Sequence, residues 1–245
     1  MKEKKNKFLV RVGISILGLC ISPHLSAEIS ASLTGSTNYV SRGYSKSDGN
    51  PVLQGNIDYE HSSGFYMGSW ISNVDFNDSI SSNPARIEVI PYLGWSFELS
   101  DDFRLDTELT SYVYDGKIFG ESADYYELNV LLHFRDLLTS RVAHSEDAYG
   151  QSTGASDFEI TGQYPITDSL EFSTGVGYAL TQHVNEYDYY YWNAGFTWYY
   201  NPVALDFRYV DSKEASERED ESNDFFQFEP LEVEPSFLFS ISIGF

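Results

Sequence analysis

Beyond residue 27 the chain has no cysteine, no run of 18 apolar residues and few basic side chains. Each absence removes a class of protein. Without cysteine an exported chain is held by something other than disulfides. Without a long apolar run no transmembrane helix is available. With so few lysines and arginines, phosphate neutralisation is out of reach and nucleic acid is excluded as a partner. A glycine-rich phosphate loop is also missing.

The first 27 residues read differently. Lys2, Lys4, Lys5, Lys7 and Arg11 give a basic start, Val12 to Ile21 an apolar run, and Leu25-Ser26-Ala27 a small-residue cleavage site. This is the pattern of a secretory signal peptide, removed to leave residues 28–245 as a single domain. Cys20 follows Leu19, which is too large for the position before a lipidated cysteine. Removing the leader takes five of the 15 basic and one of the 37 acidic residues, so the formal charge falls from −22 to −26. Such a chain favours cations, divalent ions or basic molecules.

What is abundant is aromatic: 19 Tyr, 17 Phe and 4 Trp in 245 residues. A mean hydropathy of −0.32 reconciles this load with the missing apolar runs if apolar residues recur at every second position. They do. Phe103, Leu105, Leu109 and Val113 alternate with Arg104, Asp106, Glu108 and Thr110, and Tyr126, Leu128, Val130, Leu132 and Phe134 with Glu127, Asn129 and His133. Twelve such segments can be marked, most of 9 to 11 residues, the length of a tilted transmembrane strand. In YDYYYWNAGFTWYY, Tyr190, Trp192, Ala194, Phe196, Trp198 and Tyr200 share one face, with aromatic clusters at both ends as in an interfacial girdle.

The connections carry a second signal. Short turns at 61–64, 100–102, 135–137, 165–169 and 201–202 alternate with long polar loops at 41–50, 77–85, 115–124, 145–156, 182–188 and 211–234. All short turns then fall on one side of the sheet and all long loops on the other. This predicts an all-β fold, a transmembrane antiparallel up-and-down barrel of about twelve strands in a Gram-negative outer membrane, with both termini periplasmic. The last segment, SFLFSISIGF, places Phe237, Phe239, Ile241, Ile243 and Phe245 toward lipid and Ser236, Ser240, Ser242 and Gly244 inward, with Leu238 the exception. Lipid offers no hydrogen-bond partners, so this strand is expected to close on a first strand at Ile29–Tyr39. A terminal Phe245 on such a strand is also the expected signal for the outer-membrane insertion machinery.

Residues 38–76 carry a resemblance. Arg42-Gly43, Pro51 through Gly55, Asp58-Tyr59-Glu60, Ser63-Gly64-Phe65-Tyr66 and Gly68 through Phe76 resemble the start of the TorF-like porins, a proteobacterial family long carried as conserved hypothetical proteins. The resemblance implies a barrel with a channel role.

If the apolar parity faces lipid, the opposite parity lines the interior with Asp58, Glu88, Asp106, Glu108, Glu127, Glu159, Glu171 and Asp206 against Arg104, Arg141 and Arg208. Two readings stay open. The carboxylates form a cation-favouring constriction for passive diffusion of small polar solutes; or the charges pair across strands and plug a non-conducting structural or docking barrel. The loop DSKEASEREDESNDFFQFEPLEVEP (211–235) holds ten acids and two bases. It suits contact with lipopolysaccharide through divalent cations or a fold into the pore, and equally a solvated loop. It lacks the glycine and ligand order of an EF-hand, so no metal site or cofactor is assigned. A lipid-modifying enzyme would need a His–Ser pair on the outer wall. His144 and Ser145 are adjacent on a strand and point to opposite faces, so no catalytic residue is assigned. His61 and His133 have no partner at metal-ligand spacing.

Overall fold

The computed structural model describes residues 27–216, 231–232 and 235–245. The barrel strands are β1 (Ala27–Ser36), β2 (Val52–His61), β3 (Phe65–Asn73), β4 (Ile87–Glu98), β5 (Phe103–Tyr114), β6 (Tyr125–Phe134), β7 (Leu138–Ser145), β8 (Ala155–Pro165), β9 (Leu170–Leu180), β10 (Tyr189–Tyr200), β11 (Val203–Glu214) and β12 (Ser236–Gly244). Each pairs antiparallel with its sequence neighbours, and β12 closes on β1 with Ser32 opposite Gly244 and Ser36 opposite Ser240. The expected twelve-stranded antiparallel barrel is the observed fold.

Alternation sets the two faces. Ile29, Leu53, Leu93, Leu109, Leu128, Ile160, Val176, Phe196, Trp198 and Phe239 are all more than 40% exposed on the outside. Their neighbours Asn56, Asp106, Thr110, Asn129, Thr161 and Ser173 are buried inside. On β12 the expected exception holds, and Leu238 lines the interior between Ser240 and the loop end.

Three details depart from the alternation pattern. β1 stops at Ser36 rather than at Tyr39, because after Thr37, which still bonds Phe239 of β12, the chain turns into the barrel and Tyr39 is buried. Strand lengths run from 8 residues in β7 to 12 in β4, β5, β10 and β11. Inside β4, Pro91 pairs with Ser69 on β3 but lies at a gap in the ladder to β5, which is broken between Val89 and Tyr92. Proline has no N–H to give that neighbour.

Three tyrosine rings lie over glycines that face them across the ladder. Tyr66 covers Gly94, Tyr92 covers Gly68 and Tyr191 covers Gly177, in each case so closely that a Cβ on the glycine would strike the ring.

The apolar core is not at mid-barrel. It sits at the long-loop end, where Tyr39, Val52, Trp70, Val74, Phe76, Ile90, Tyr114 and Ile118 pack together. Tyr39 comes from the first long loop, residues 37–51, which folds inward as a short hairpin with Val40–Ser41 paired to Tyr44–Ser45. The turn is Arg42-Gly43, with φ of 49° and 80°, the two positive values a two-residue hairpin turn requires. Leu231–Glu232 adds a third short strand to this ribbon.

Candidate functional site

The hairpin crosses the bore. On one side the Tyr39 ring packs 4.9 Å from that of Trp70 on β3. Beside it Lys46 donates to Glu88 of β4 at 2.6 Å, in a pair with almost no exposure. On the far side Tyr44 packs edge-on to Tyr189 of β10 at 4.5 Å, and its hydroxyl donates to that of Tyr187. At the tip, Gly43 is pressed against Tyr191 and Ser212, and a Cβ there would fall 2.7 Å from the Tyr191 Cβ.

From that tip Arg42 reaches the opposite wall. Its two terminal nitrogens donate to Glu127 of β6 at 2.7 and 2.6 Å, and Nε lies 3.5 Å from Asp157 of β8. Planar two-point pairing of this kind is strong and directional. Arg141 of β7 continues the chain of charges, donating to Asp157 at 2.7 Å and Glu159 at 3.3 Å. The hydroxyl of Tyr191 lies 2.9 Å from both Asp157 and Glu159, a reach made by laying its ring over Gly177.

Toward the short-turn end lies an interior cavity of about 470 Å³. Of the residues expected inside, Arg104, Asp106, Glu108, Glu127, Arg141, Glu159, Glu171, Asp206 and Arg208 line it. Most are held by neighbours. Asp106 accepts from Ser96, Arg104 and His133; Arg208 donates to Asp206, Asn193 and Ser173; Tyr199 donates to Glu171 and Thr110 to Glu108. The other two expected residues are elsewhere. Glu88 is fully buried under the hairpin, and Asp58 is buried in the wall, where the Tyr92 hydroxyl and the Asn56 amide donate to it.

The β12–β1 sector of this cavity is of another character. Ser32, Thr34, Ser36, Ser240 and Ser242 line it with small hydroxyls. Thr34 bonds Ser242 and Ser240 bonds Ser36 across the closing seam. Asn56 Oδ1 and Gln163 Oε1, on residues that line the same cavity, have no hydrogen-bond partner among the described residues. The lining thus has a neutral polar seam at β12–β1, and charged groups resume on the adjacent β11, where Asp206 stands beside Ser240 and Arg208 beside Leu238.

Arg42, Lys46, Asp157 and Tyr191 were not among the expected interior residues. The first two stand on a loop, where alternation carries no information. Asp157 shares the parity of Glu159 and stands within β8, one position past the loop expected at 145–156. The long acidic segment lies mostly outside the described residues, as does the leader apart from Ala27.

On the outer wall His144 does not meet Ser145. Its Nδ1 lies 2.9 Å from Ser156 Oγ on the neighbouring strand, at the long-loop rim. The outer wall thus carries a His–Ser pair at hydrogen-bond distance across two strands, and among the described residues no carboxylate bonded to the ring accompanies it. No cluster of metal-ligating side chains occurs among the described residues.

Solved structures that share the fold include two of the KdgM porin. The KdgM porin superposes with a TM-score of 0.52 at 8% identity, over 88% of this chain and 98% of that one. The KdgM porin in complex with disordered oligogalacturonate gives 0.51 at 9% identity, over 88% and 96%. No curated protein matches the sequence. The barrel is thus porin-like in architecture. A family model described as bacterial protein of unknown function (Gcw_chp) matches residues 21–240, and the chain belongs to that family.

Proposed function

We propose that the protein is an outer-membrane, porin-like channel for passive diffusion of small polar solutes, with a preference for cations. The observation that carries this reading is the 470 Å³ cavity, lined by charged and hydroxyl groups as well as apolar and aromatic ones, inside a closed barrel with an apolar exterior, running from the short-turn rim to the hairpin. Twelve strands lie between the eight that side chains can fill and the sixteen that leave an aqueous channel. Carboxylates outnumber cations along the inner wall, and a wall of that sign concentrates cations. The resemblance of residues 38–76 to the TorF-like porins supports the same role. So does the bound oligogalacturonate of the KdgM porin complex, as an instance of a small-solute path in this architecture.

In this reading the leader delivers the chain to the periplasm, where the short turns and both termini remain. The outer belt meets lipid, the long loops meet lipopolysaccharide with or without divalent cations, and the β12 strand ending at Phe245 engages the insertion machinery. A second reading, a non-conducting barrel, is favoured by one observation: the hairpin spans the bore and is pinned at both walls.

Single-channel current across a planar bilayer with a salt gradient tests the two. Discrete steps with a cation-selective reversal potential support the channel. A membrane-inserted, heat-modifiable and silent barrel would sink it in favour of the structural role.

A further inference from the structure

We infer that Arg42 is the residue that sets both the width and the ion selectivity of the lumen. The inference deepens the channel reading and rests on it.

Three independent features converge on this side chain. The first is position. A cavity of about 50 Å³ lies on the long-loop side of the hairpin, and the 470 Å³ cavity on the other; Arg42, Ser41, Tyr112 and Glu127 border both. The hairpin backbone is anchored at Tyr39, Lys46 and Tyr44. Between the tip and the β6–β8 wall the span is made by the Arg42 side chain.

The second is charge. Arg42 and Arg141 together face Glu127, Asp157 and Glu159. With Arg42 removed, three carboxylates face one guanidinium beside the hairpin tip. A passage that is close to balanced becomes strongly acidic, and its attraction for cations rises accordingly.

The third is the choice of residue. The first central position of this turn has φ of 49°, where asparagine before glycine is the favoured pair and arginine is not. A turn selected for hairpin stability alone would carry asparagine. The arginine is explained by what its guanidinium does at the wall.

The same preference supplies the test. Arg42→Asn keeps the turn, since Asn-Gly suits it better, and removes the side chain that closes the neck. Its single-channel conductance should be roughly twofold or more above wild type, and its cation-over-anion permeability ratio higher by roughly tenfold. Arg42→Lys keeps the charge without the two-point pairing and should stay near wild-type selectivity.

A folding-independent version uses the absence of other thiols beyond residue 27. In a leaderless Arg42→Cys barrel already conducting in a bilayer, a cationic methanethiosulfonate should reverse the selectivity change and an anionic one should enlarge it. A merely structural Arg42 would leave the reversal potential unmoved by any of these substitutions, and that result overturns the inference while leaving the channel reading intact. A silent wild type with a conducting Arg42→Asn would remove the open-channel reading and with it the claim on selectivity, and so overturn the inference. Silence from wild type, Arg42→Asn and Arg42→Cys alike would refute both.

Discussion

The pair Lys46–Glu88 anchors the loop that crosses the bore, and its removal should be felt as lost stability. Glu88 is fully buried, and Lys46 is 5% exposed in its side chain. The carboxylate accepts from Lys46 at 2.6 Å, Tyr114 at 2.6 Å and Tyr39 at 2.7 Å. The ammonium also lies 5.1 to 5.9 Å from the ring centres of Tyr112, Tyr39 and Tyr114. Lys46→Met fills the volume but strands the carboxylate, and breaking a buried pair in this way costs about 3–5 kcal/mol. The two tyrosine hydroxyls remain as donors, which sets the expectation at the lower end, about 3 kcal/mol. Lys46→Met with Glu88→Gln removes both charges and should recover all but about 1 kcal/mol, because the cost lies in the uncompensated charge and not in the missing contact. Urea titration of the barrel refolded in bilayers, read by heat-modifiability and β-structure, measures both. A single variant within about 0.5 kcal/mol of wild type, or a double no better than the single, would refute the argument.

Leu128 is 55% exposed on the outer face of β6, so Leu128→Arg should cost about 2–4 kcal/mol according to its depth in the bilayer, measured by the same titration. Normal stability would mean the faces are reversed. Gly177→Ala places a methyl in the Tyr191 ring and should destabilise by about 1–3 kcal/mol; a Tyr191→Phe background should not rescue it, because ring carbons are struck as well as the hydroxyl. In the loop at 74–86, burial opposes the charge of Asp78. Hydrogen bonds from the Ser81 hydroxyl and from the Ser81, Ile80 and Phe119 amides outweigh it and hold the carboxyl below its ordinary range. A depressed value means the stabilisation is present above the unfolded pKa of about 3.9 and fades as pH falls through the lower folded one. Amide exchange at Ile80, Ser81 and Phe119, corrected for intrinsic rates, should therefore speed up below that pH and already be fast at neutral pH in Asp78→Asn.

The barrel could be read from the sequence because membrane strands write both faces into a period of two, and because short and long connections alternate. The same code explains which charged positions turn inward, since Arg104, Asp106 and Glu108 differ from Leu105 and Leu109 only in parity. It also explains what escaped. Arg42 and Lys46 lie on a loop, and whether a loop folds into a lumen or away from it depends on contacts such as Tyr39 on Trp70 and Tyr44 on Tyr189, which join residues far apart in the chain. The local clue was Ser41-Arg42-Gly43-Tyr44, a hairpin turn with an unexpected residue at its first central position. Pairing was equally hidden. Glu127 reads as a lumenal acid, yet its partner comes from 85 residues earlier.

The tyrosines that lie over Gly68, Gly94 and Gly177 bear on the calibre of the tube. A tyrosine pointing to the axis would take the full length of its side chain out of the radius, whereas one laid along the wall takes only the thickness of a ring. Strand number alone therefore does not fix the free bore. Each of these glycines opposite a tyrosine holds a section of the lumen wide. At Gly177 a larger residue would meet only the Tyr191 side chain and turn that ring toward the axis, narrowing the tube, whereas at Gly68 and Gly94 it would also meet the neighbouring strand at the Ile57 and Thr107 carbonyls.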